Sequence, residues 1–344
     1  MREFGSDFHY IETFNSAGTH LPDLLREATL LADGRQCIVA LIRQYGWKRI
    51  WMPDYFCYEV IDSVREQTGI EVVFYEDNPF DEAQVVTLPF QEGDVLLRMN
   101  YFGLRGFRSN KDIPCPVIED HTHNLVGEWA LNSDADWCIA SVRKSLPVPE
   151  GGVMWSPKGY QLEITINTSE DNEQIAAIRW KGMELKASYL MGGDVSKEAF
   201  RKCFTETEEW FDRAETSLMD GRSRAYLSET LDVDQWQEAR RRNWLLLKTL
   251  VNTDACTVLR PENETCTMFS LMILLNSRER RDIVRKRLID SCVYPAILWT
   301  VPENASASAR VFSERMLSIH CDGRYSEDDI RQLAHLVNEA LEAK

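Results

Sequence analysis

The sequence predicts an α/β fold with a mainly parallel central sheet flanked by helices, followed by a smaller C-terminal α/β domain. Three observations lead there. Short apolar runs of strand length alternate with helical patterns through the first half of the chain, and strands separated by helices imply right-handed crossovers and parallel pairing. At 344 residues the chain exceeds what one core ordinarily organises, so two domains are expected. Finally, the residues with the most chemical potential stand where strands stop. In an open α/β sheet that edge is where ligands bind.

In chain order, residues 1–30 read as an N-terminal arm with a helix near 21–31. Asp33-Gly34 marks a turn, and the apolar run Cys37-Ile38-Val39-Ala40-Leu41-Ile42 reads as the start of a buried helix. Free N–H groups and the positive dipole end make the start of such a helix a place for a phosphate. A strand at 50–52, a helix at 59–67 and strands at 71–75, 95–99, 117–118 and 137–140 follow. Gly151-Gly152 turns into a last sheet strand at 152–155. From 181 to 218 the pattern is helical, with Tyr189, Phe200, Phe204, Trp210 and Phe211 as expected core contacts. A long amphipathic helix over 236–250 links to strands at 267–275 and 291–298 and a closing helix at 328–341. The domains expected are therefore an arm at 1–30, a large domain at 30–235 and a linking helix with a small domain at 236–344.

A net charge of −16 argues against nucleic acid or an anionic membrane surface as the main partner. The basic runs Arg240-Arg241-Arg242 and Arg278-Glu279-Arg280-Arg281 read as polar faces of helices. No run of about twenty apolar residues suggests a membrane span. Nine cysteines without a CxxC pair, and no leader-like segment, read as reduced thiols in a cytoplasmic protein.

The stretch 117–157 holds the chemistry. Asp120 follows one strand, Ser141 to Lys144 follow the next, and the glycine pair leads into the third. A desolvated Lys144 beside Arg143 has its ammonium form disfavoured, which frees the amine to condense with a carbonyl. Asp120 on the neighbouring strand end is the kind of group that keeps a pyridinium nitrogen protonated. Either residue alone is ordinarily a surface, turn or cap residue. In the joint order strand-Glu-Asp-x-x-His, strand-Ser-x-Arg-Lys, Gly-Gly-strand, they point to pyridoxal phosphate. His121 and His123 beside Asp120 also suit a metal, but no third ligand cluster accompanies them among six histidines, so no metal is expected. His121 has no assigned role. Tyr55, Phe56 and Tyr58 crowd another strand end, where ring stacking and plain packing both remain open.

These residues resemble the DegT-type sugar aminotransferase family, within the aspartate-aminotransferase fold of pyridoxal-phosphate enzymes. The resemblance extends to Phe4-Gly5-Ser6-Asp7-Phe8, Asp33-Gly34-Arg35-Gln36, Met52-Pro53-Asp54-Tyr55 and Tyr101-Phe102-Gly103. Late in the chain it includes Val293-Tyr294-Pro295 and Leu317-Ser318-Ile319-His320-Cys321 followed by Arg324-Tyr325; the middle, from about 160 to 235, is weak. It implies pyridoxal 5'-phosphate held as an internal aldimine on Lys144, with Asp120 at the ring nitrogen and His123 at the phenolic oxygen. Gly34, Arg35, Gln36 and Ser141 are implied at the phosphate, with Arg143 lending charge. Cys57 stands where the family stacks an aromatic side chain, a departure that leaves the stacking residue open. Tyr294 and Trp299 are candidate substrate contacts. The segment 219–231 aligns with one that crosses a homodimer interface in the family, yet it offers Arg222, Ser223 and Arg224 rather than Asn-x-Arg.

The activity so implied is transfer of an amino group, with glutamate as donor, to a keto sugar that is typically nucleotide-linked, in surface-polysaccharide or secondary-metabolite biosynthesis. Lys144 separates the chain from related dehydratases that carry histidine there. A pyridoxal-phosphate enzyme of another reaction type such as a lyase, a different acceptor such as a cyclitol, and a non-catalytic scaffold of the same fold remain open.

Overall fold

A computed structural model describes residues 3–12 and 18–342. The chain opens with β1 (Phe4–Gly5), α1 (Leu21–Leu24) and β2 (Thr29–Leu31). An alternation follows: α2 (Gly34–Tyr45), β3 (Arg49–Pro53), α3 (Tyr58–Thr68), β4 (Glu71–Tyr75), β5 (Asp94–Met99) and β6 (Val117–Asp120). Next come α4 (Glu128–Leu131), β7 (Trp137–Ser141), α5 (Val142–Ser145) and β8 (Gly152–Trp155). These strands form a seven-stranded sheet in the order β2-β8-β7-β6-β5-β3-β4. From β4 to β7 every pairing is parallel, while β8 and β2 close one edge antiparallel. Every residue of β5, β6 and β7 is buried, as expected for strands covered on both faces. α2 and α3 stop at Gly46 and Gly69, whose φ of 63° and 69° are left-handed values that glycine adopts without strain.

The helix expected near 21–31 is cut to one turn. Glu27 takes a φ of 58°, which ends helical winding, and Leu30 and Leu31 pair with Val153 and Gly152 instead. Leucines at a sheet edge bury as well as on a helix face, so the tertiary partner decided. The expected arm also includes positions 1–2 and 13–17, which lie outside the described residues.

Two helices, α6 (Glu170–Leu190) and α7 (Lys197–Arg213), replace the single helical stretch over 181–218 and pack on each other. Gly192, with a φ of 86°, separates them. Phe200, Phe204 and Phe211 are core residues as expected, Tyr189 is half-buried, and Trp210 is 44% exposed. After α8 (Gly221–Ala225), α9 (Val233–Leu250) leads to β9 (Thr257–Val258), β10 (Leu271–Leu274) and α10 (Arg278–Asp290). β11 (Val293–Tyr294), α11 (Ala307–Arg315), β12 (Met316–Ile319) and α12 (Glu327–Glu342) complete the chain.

The second sheet is antiparallel, in the order β12-β10-β9. Of the strand expected at 291–298, only Ala296 touches this sheet, through an isolated antiparallel bridge to Ser318 of β12. β11 instead pairs in parallel with β1, so the start of the chain is stitched to its last third. Arg324 reinforces that stitch: it is bidentate on Asp322 at 2.8 Å for both bonds and also donates to the carbonyls of Ser6 and Asp7. α12 lays Ile330, Leu333, Ala334, Val337 and Leu341 inward and packs on α9. One cluster of buried apolar side chains runs from α2 and β3 into β10, α10 and α12. Among the described residues no helix is long and apolar enough to cross a membrane.

Candidate active site

The carboxyl ends of β6 and β7 open onto a cavity of about 180 Å³. β6 delivers Asp120, the loop after it delivers Thr122 and His123, and β7 ends at Ser141. α5, a single turn that starts at the strand end, carries Arg143 and Lys144. The N-cap and first turn of α2 add Asp33, Gly34 and Arg35, and the β3–α3 loop adds Phe56 and Cys57. Phe269, Leu298 and Trp299 close the cavity from the side of the second sheet, and Glu208 reaches in from α7. A second cavity of about 280 Å³ shares Arg143, Lys144, Phe269 and Leu298 with the first and extends to Arg179, His320 and Arg324.

Lys144 stands between the two. Its side chain is exposed to the cavities on both sides, and its Nζ has no hydrogen bond or ion pair with any described residue. The adjacent Arg143 guanidinium, and then desolvation, hold the Lys144 ammonium below its ordinary value, with Glu208 and Asp33 pulling the other way. Asp120 is pushed above the usual carboxylate range by burial, opposed by hydrogen bonds from Thr122, whose N–H donates to Asp120 Oδ1 at 2.9 Å.

His123 is neutral. Desolvation first, then the Lys144 and Arg240 charges, push it down to about 3. Its Nδ1 accepts from the Phe102 N–H at 3.3 Å, which assigns the ring proton to Nε2. The ring lies among Phe102, Phe269 and Trp299, stacked on the last at 5.5 Å between centroids. Of the aromatic residues near the β3 end, Tyr55 is fully buried with its hydroxyl on the Leu298 carbonyl, and Tyr58 stacks on Phe74. These two are packing residues; Phe56 and Cys57 face the cavity.

At the other end, the start of α2 lies against the end of β7. A Cβ on Gly34 would come within 2.9 Å of Ser141 Cβ, and one on Gly152 within 2.3 Å of the Asp33 carbonyl oxygen, so both positions need glycine for this approach. Asp33 caps α2: its Oδ1 accepts from the Gly34 N–H at 2.6 Å and from Ser141 Oγ at 3.4 Å. Arg35 Nε forms an ion pair with Asp33 Oδ2 at 2.9 Å, and Arg143 Nε lies 4.0 Å from Oδ1.

Two expected site residues lie elsewhere. Gln36 is about 200° around the helix from Gly34, and its side chain instead accepts from the Ser217 N–H at 3.0 Å and donates to the Glu215 carbonyl at 3.2 Å. Tyr294 is drawn away from both cavities by the β1–β11 pairing, and its hydroxyl accepts from Lys197 Nζ at 2.5 Å. Arg222, in the segment aligned with an interface, pairs within the chain with Glu184 and covers the Trp180 ring.

Sequence reasoning missed Glu208, Arg179 and the role of Asp33. Glu208 accepts from Arg143 at 2.8 Å and from Arg179 at 3.0 Å, while both guanidinium groups lie over the Phe211 ring. Glutamate and arginine in a helical pattern read as solvated faces, so no local signal marked them. His121 points to the opposite face of β6 from Asp120, as strand alternation requires. Its Nε2 lies 3.0 Å from Glu119 Oε2, and these two with Cys138 bring their ligand atoms within 4.8 Å of one another. Asn110 and Ser133 also donate to Glu119, so the group is tied into a buried hydrogen-bond network.

No family model and no curated protein matches the chain. Solved structures do. A protein described as a sugar aminotransferase, from Streptococcus pneumoniae in its PLP form, superimposes with a TM-score of 0.64 at 12% identity, covering 97% of this chain and 93% of that one. DesI, solved in the presence of its TDP-sugar product, gives 0.63 at 16% identity over 92% of this chain and 81% of its own. For 3-amino-5-hydroxybenzoic acid synthase the values are 0.63, 13%, and 98% of both chains. At these identities the likeness is one of fold: over nearly its whole length, the chain has the aspartate-aminotransferase-like architecture on which these aminotransferases are built.

Proposed function

We propose that the chain is a pyridoxal-phosphate-dependent aminotransferase, moving an amino group from glutamate to a nucleotide-linked keto sugar, as a cytoplasmic homodimer. One observation carries this reading. An amine without a partner among the described residues, its pKa lowered by a neighbouring guanidinium, shares a sheet-edge cavity with a buried carboxylate.

The residues present fit the cofactor. Asp120 offers a buried carboxylate whose charge lacks a full counterpart, suited to a cationic ring nitrogen. The neutral His123 offers an Nε2–H to an oxygen. Gly34, Arg35 and Ser141 converge on an anion position, and Arg143 Nε is a buried donor with no hydrogen bond of its own. Charge-assisted bonds of this kind contribute roughly 1.5–3 kcal/mol each. Bound there, pyridoxal phosphate supplies an aldehyde carbon for amines and a ring that takes up electrons when the substrate carbon loses its proton.

The chain's own residues do the rest. Lys144, unprotonated at neutral pH more often than an ordinary lysine, offers Nζ as nucleophile and then as proton carrier. Asp120 holds positive charge on the ring side, Phe269 and Trp299 keep water out, and the cup around Gly34 anchors the cofactor when Lys144 lets go. A nucleotide-linked sugar is favoured as acceptor by the likeness to DesI, solved with its TDP-sugar product, whereas the likeness to 3-amino-5-hydroxybenzoic acid synthase, over 98% of both chains, favours a carbocyclic acceptor.

The test is the absorbance spectrum of the purified chain with pyridoxal phosphate, before and after borohydride, beside Lys144→Ala. Cofactor should be fixed covalently in wild type and not in the variant, and glutamate should bleach the band before reduction. No reducible band in wild type would end this reading. With it in place, a screen of nucleotide-linked keto sugars against cyclitol ketones separates the two acceptors.

A further inference from the structure

The donors assigned above to the cofactor phosphate already surround an anion of the chain's own. Asp33 is 3% exposed; its Oδ1 accepts from the Gly34 N–H and the Ser141 hydroxyl, and its Oδ2 forms an ion pair with the Arg35 guanidinium, with Arg143 at 4.0 Å. Each N–H and the hydroxyl proton can serve one acceptor well. A phosphate ester placed among the same donors would share them with Asp33 and lie against a like charge, which disfavours both anions. The backbone there has no room to retreat. The Asp33 carbonyl lies where a Cβ on Gly152 would be only 2.3 Å away, and it accepts a hydrogen bond from Cys37 Sγ at 3.8 Å.

We propose that Asp33 sets the chain's affinity for its cofactor: in the cofactor-free chain its carboxylate occupies the anion position of the cup, and a phosphate ester enters only as Asp33 gives up the Gly34, Ser141 and Arg35 donors. This inference rests on the pyridoxal-phosphate reading. It gives the cup an anion of its own in the free chain, bridging α2 and β7 without cofactor, and it makes cofactor binding weaker than the same donors would otherwise allow. A neutral capping residue at position 33 would keep the helix start and leave the cup to the ligand.

The experiment compares pyridoxal phosphate with pyridoxal, which lacks the phosphate, on wild type, Asp33→Asn and Asp33→Ser, with binding read by absorbance titration. Asp33 also favours the Lys144 ammonium, so its removal changes the affinity of both compounds through the amine. The ratio of the two affinities isolates the cup. That ratio should rise at least tenfold in both variants, and inorganic phosphate should raise the melting temperature of the cofactor-free variants but not of wild type. An unchanged or lower ratio, or equal stabilisation of wild type by phosphate, overturns the proposal. Asp33→Asn keeps the side-chain shape and the cap, so a folded variant is available if Asp33→Ser is not. If no variant forms a borohydride-fixable adduct, the pyridoxal-phosphate reading falls, while the phosphate arm still decides whether Asp33 holds the anion position.

Discussion

The two ends of the cavity are built alike and left in opposite states. Each is assembled from strand ends and the turns that follow them, yet at one end Lys144 has no partner among the described residues and Asp120 is buried without a full counter-charge, while at the other the Gly34 N–H, the Ser141 hydroxyl and the Arg35 guanidinium lie against Asp33. The difference teaches where this chain holds its reactivity. The lysine end is destabilised in the free protein and gains most from a ligand, and the cup end already holds an anion of its own.

The largest effect should come from the reactive end. Asp120→Asn removes the charge that supports a cationic ring, and amino transfer should fall by roughly 10²–10³-fold. Borohydride should still fix cofactor on Lys144, which separates a chemical defect from a binding one. Equal rates in the variant would break the contrast, because Asp120 would then be a strand-end residue like any other.

A stability experiment probes the cup. Gly152→Ala drives a methyl into the Asp33 carbonyl oxygen, 2.3 Å from the ideal Cβ position. It should cost up to about 3 kcal/mol, read as a lower denaturant midpoint. Little change would mean that α2 and β7 are not as tightly joined as the cup requires.

Acid should weaken the fold through His123. The unfolded chain protonates it below its ordinary value of 6.5, whereas the folded chain refuses the proton until about 3. Stability is therefore fully present above pH 6.5 and is lost as pH falls from there towards 3, about 2 kcal/mol of it by pH 5. Urea unfolding at pH 7 and pH 5 measures this, and His123→Gln should flatten the dependence.

The smallest effect lies at the joint between the two ends. Glu208→Gln leaves Arg143 and Arg179 without their shared carboxylate, and because that side chain is 45% exposed the cost should be only about 1 kcal/mol. The same change removes a charge that favours the Lys144 ammonium, so the pH at which Lys144 forms its cofactor adduct should move down. An upward movement would contradict the arrangement.

Legibility in the sequence followed the range of the interactions. Strands over 71–75 and 152–155 were readable to the residue because apolar runs and flanking turns are local signals. Asp120 and Lys144 were readable because strand ends are also local, and the sheet then places neighbouring strand ends side by side. Gln36 misled because the helical phase at its start was unknown: the residue is in the right turn and on the wrong face. Tyr294 misled because its strand pairs with residues at the far end of the chain.

By itself the sequence determined the alternation of strands and helices, the parallel core of the sheet and the identity of the strand-end carboxylate and amine, since all of these follow from periodicity and short spacings. Only the tertiary structure decided which charges meet. The Glu208 carboxylate on α7 reaches Arg143, Trp299 reaches His123, and Asp33 turns its carboxylate onto the donors of its own cup. Such encounters depend on how distant elements pack, and a side chain's charge carries no record in sequence of the partner that packing will bring to it.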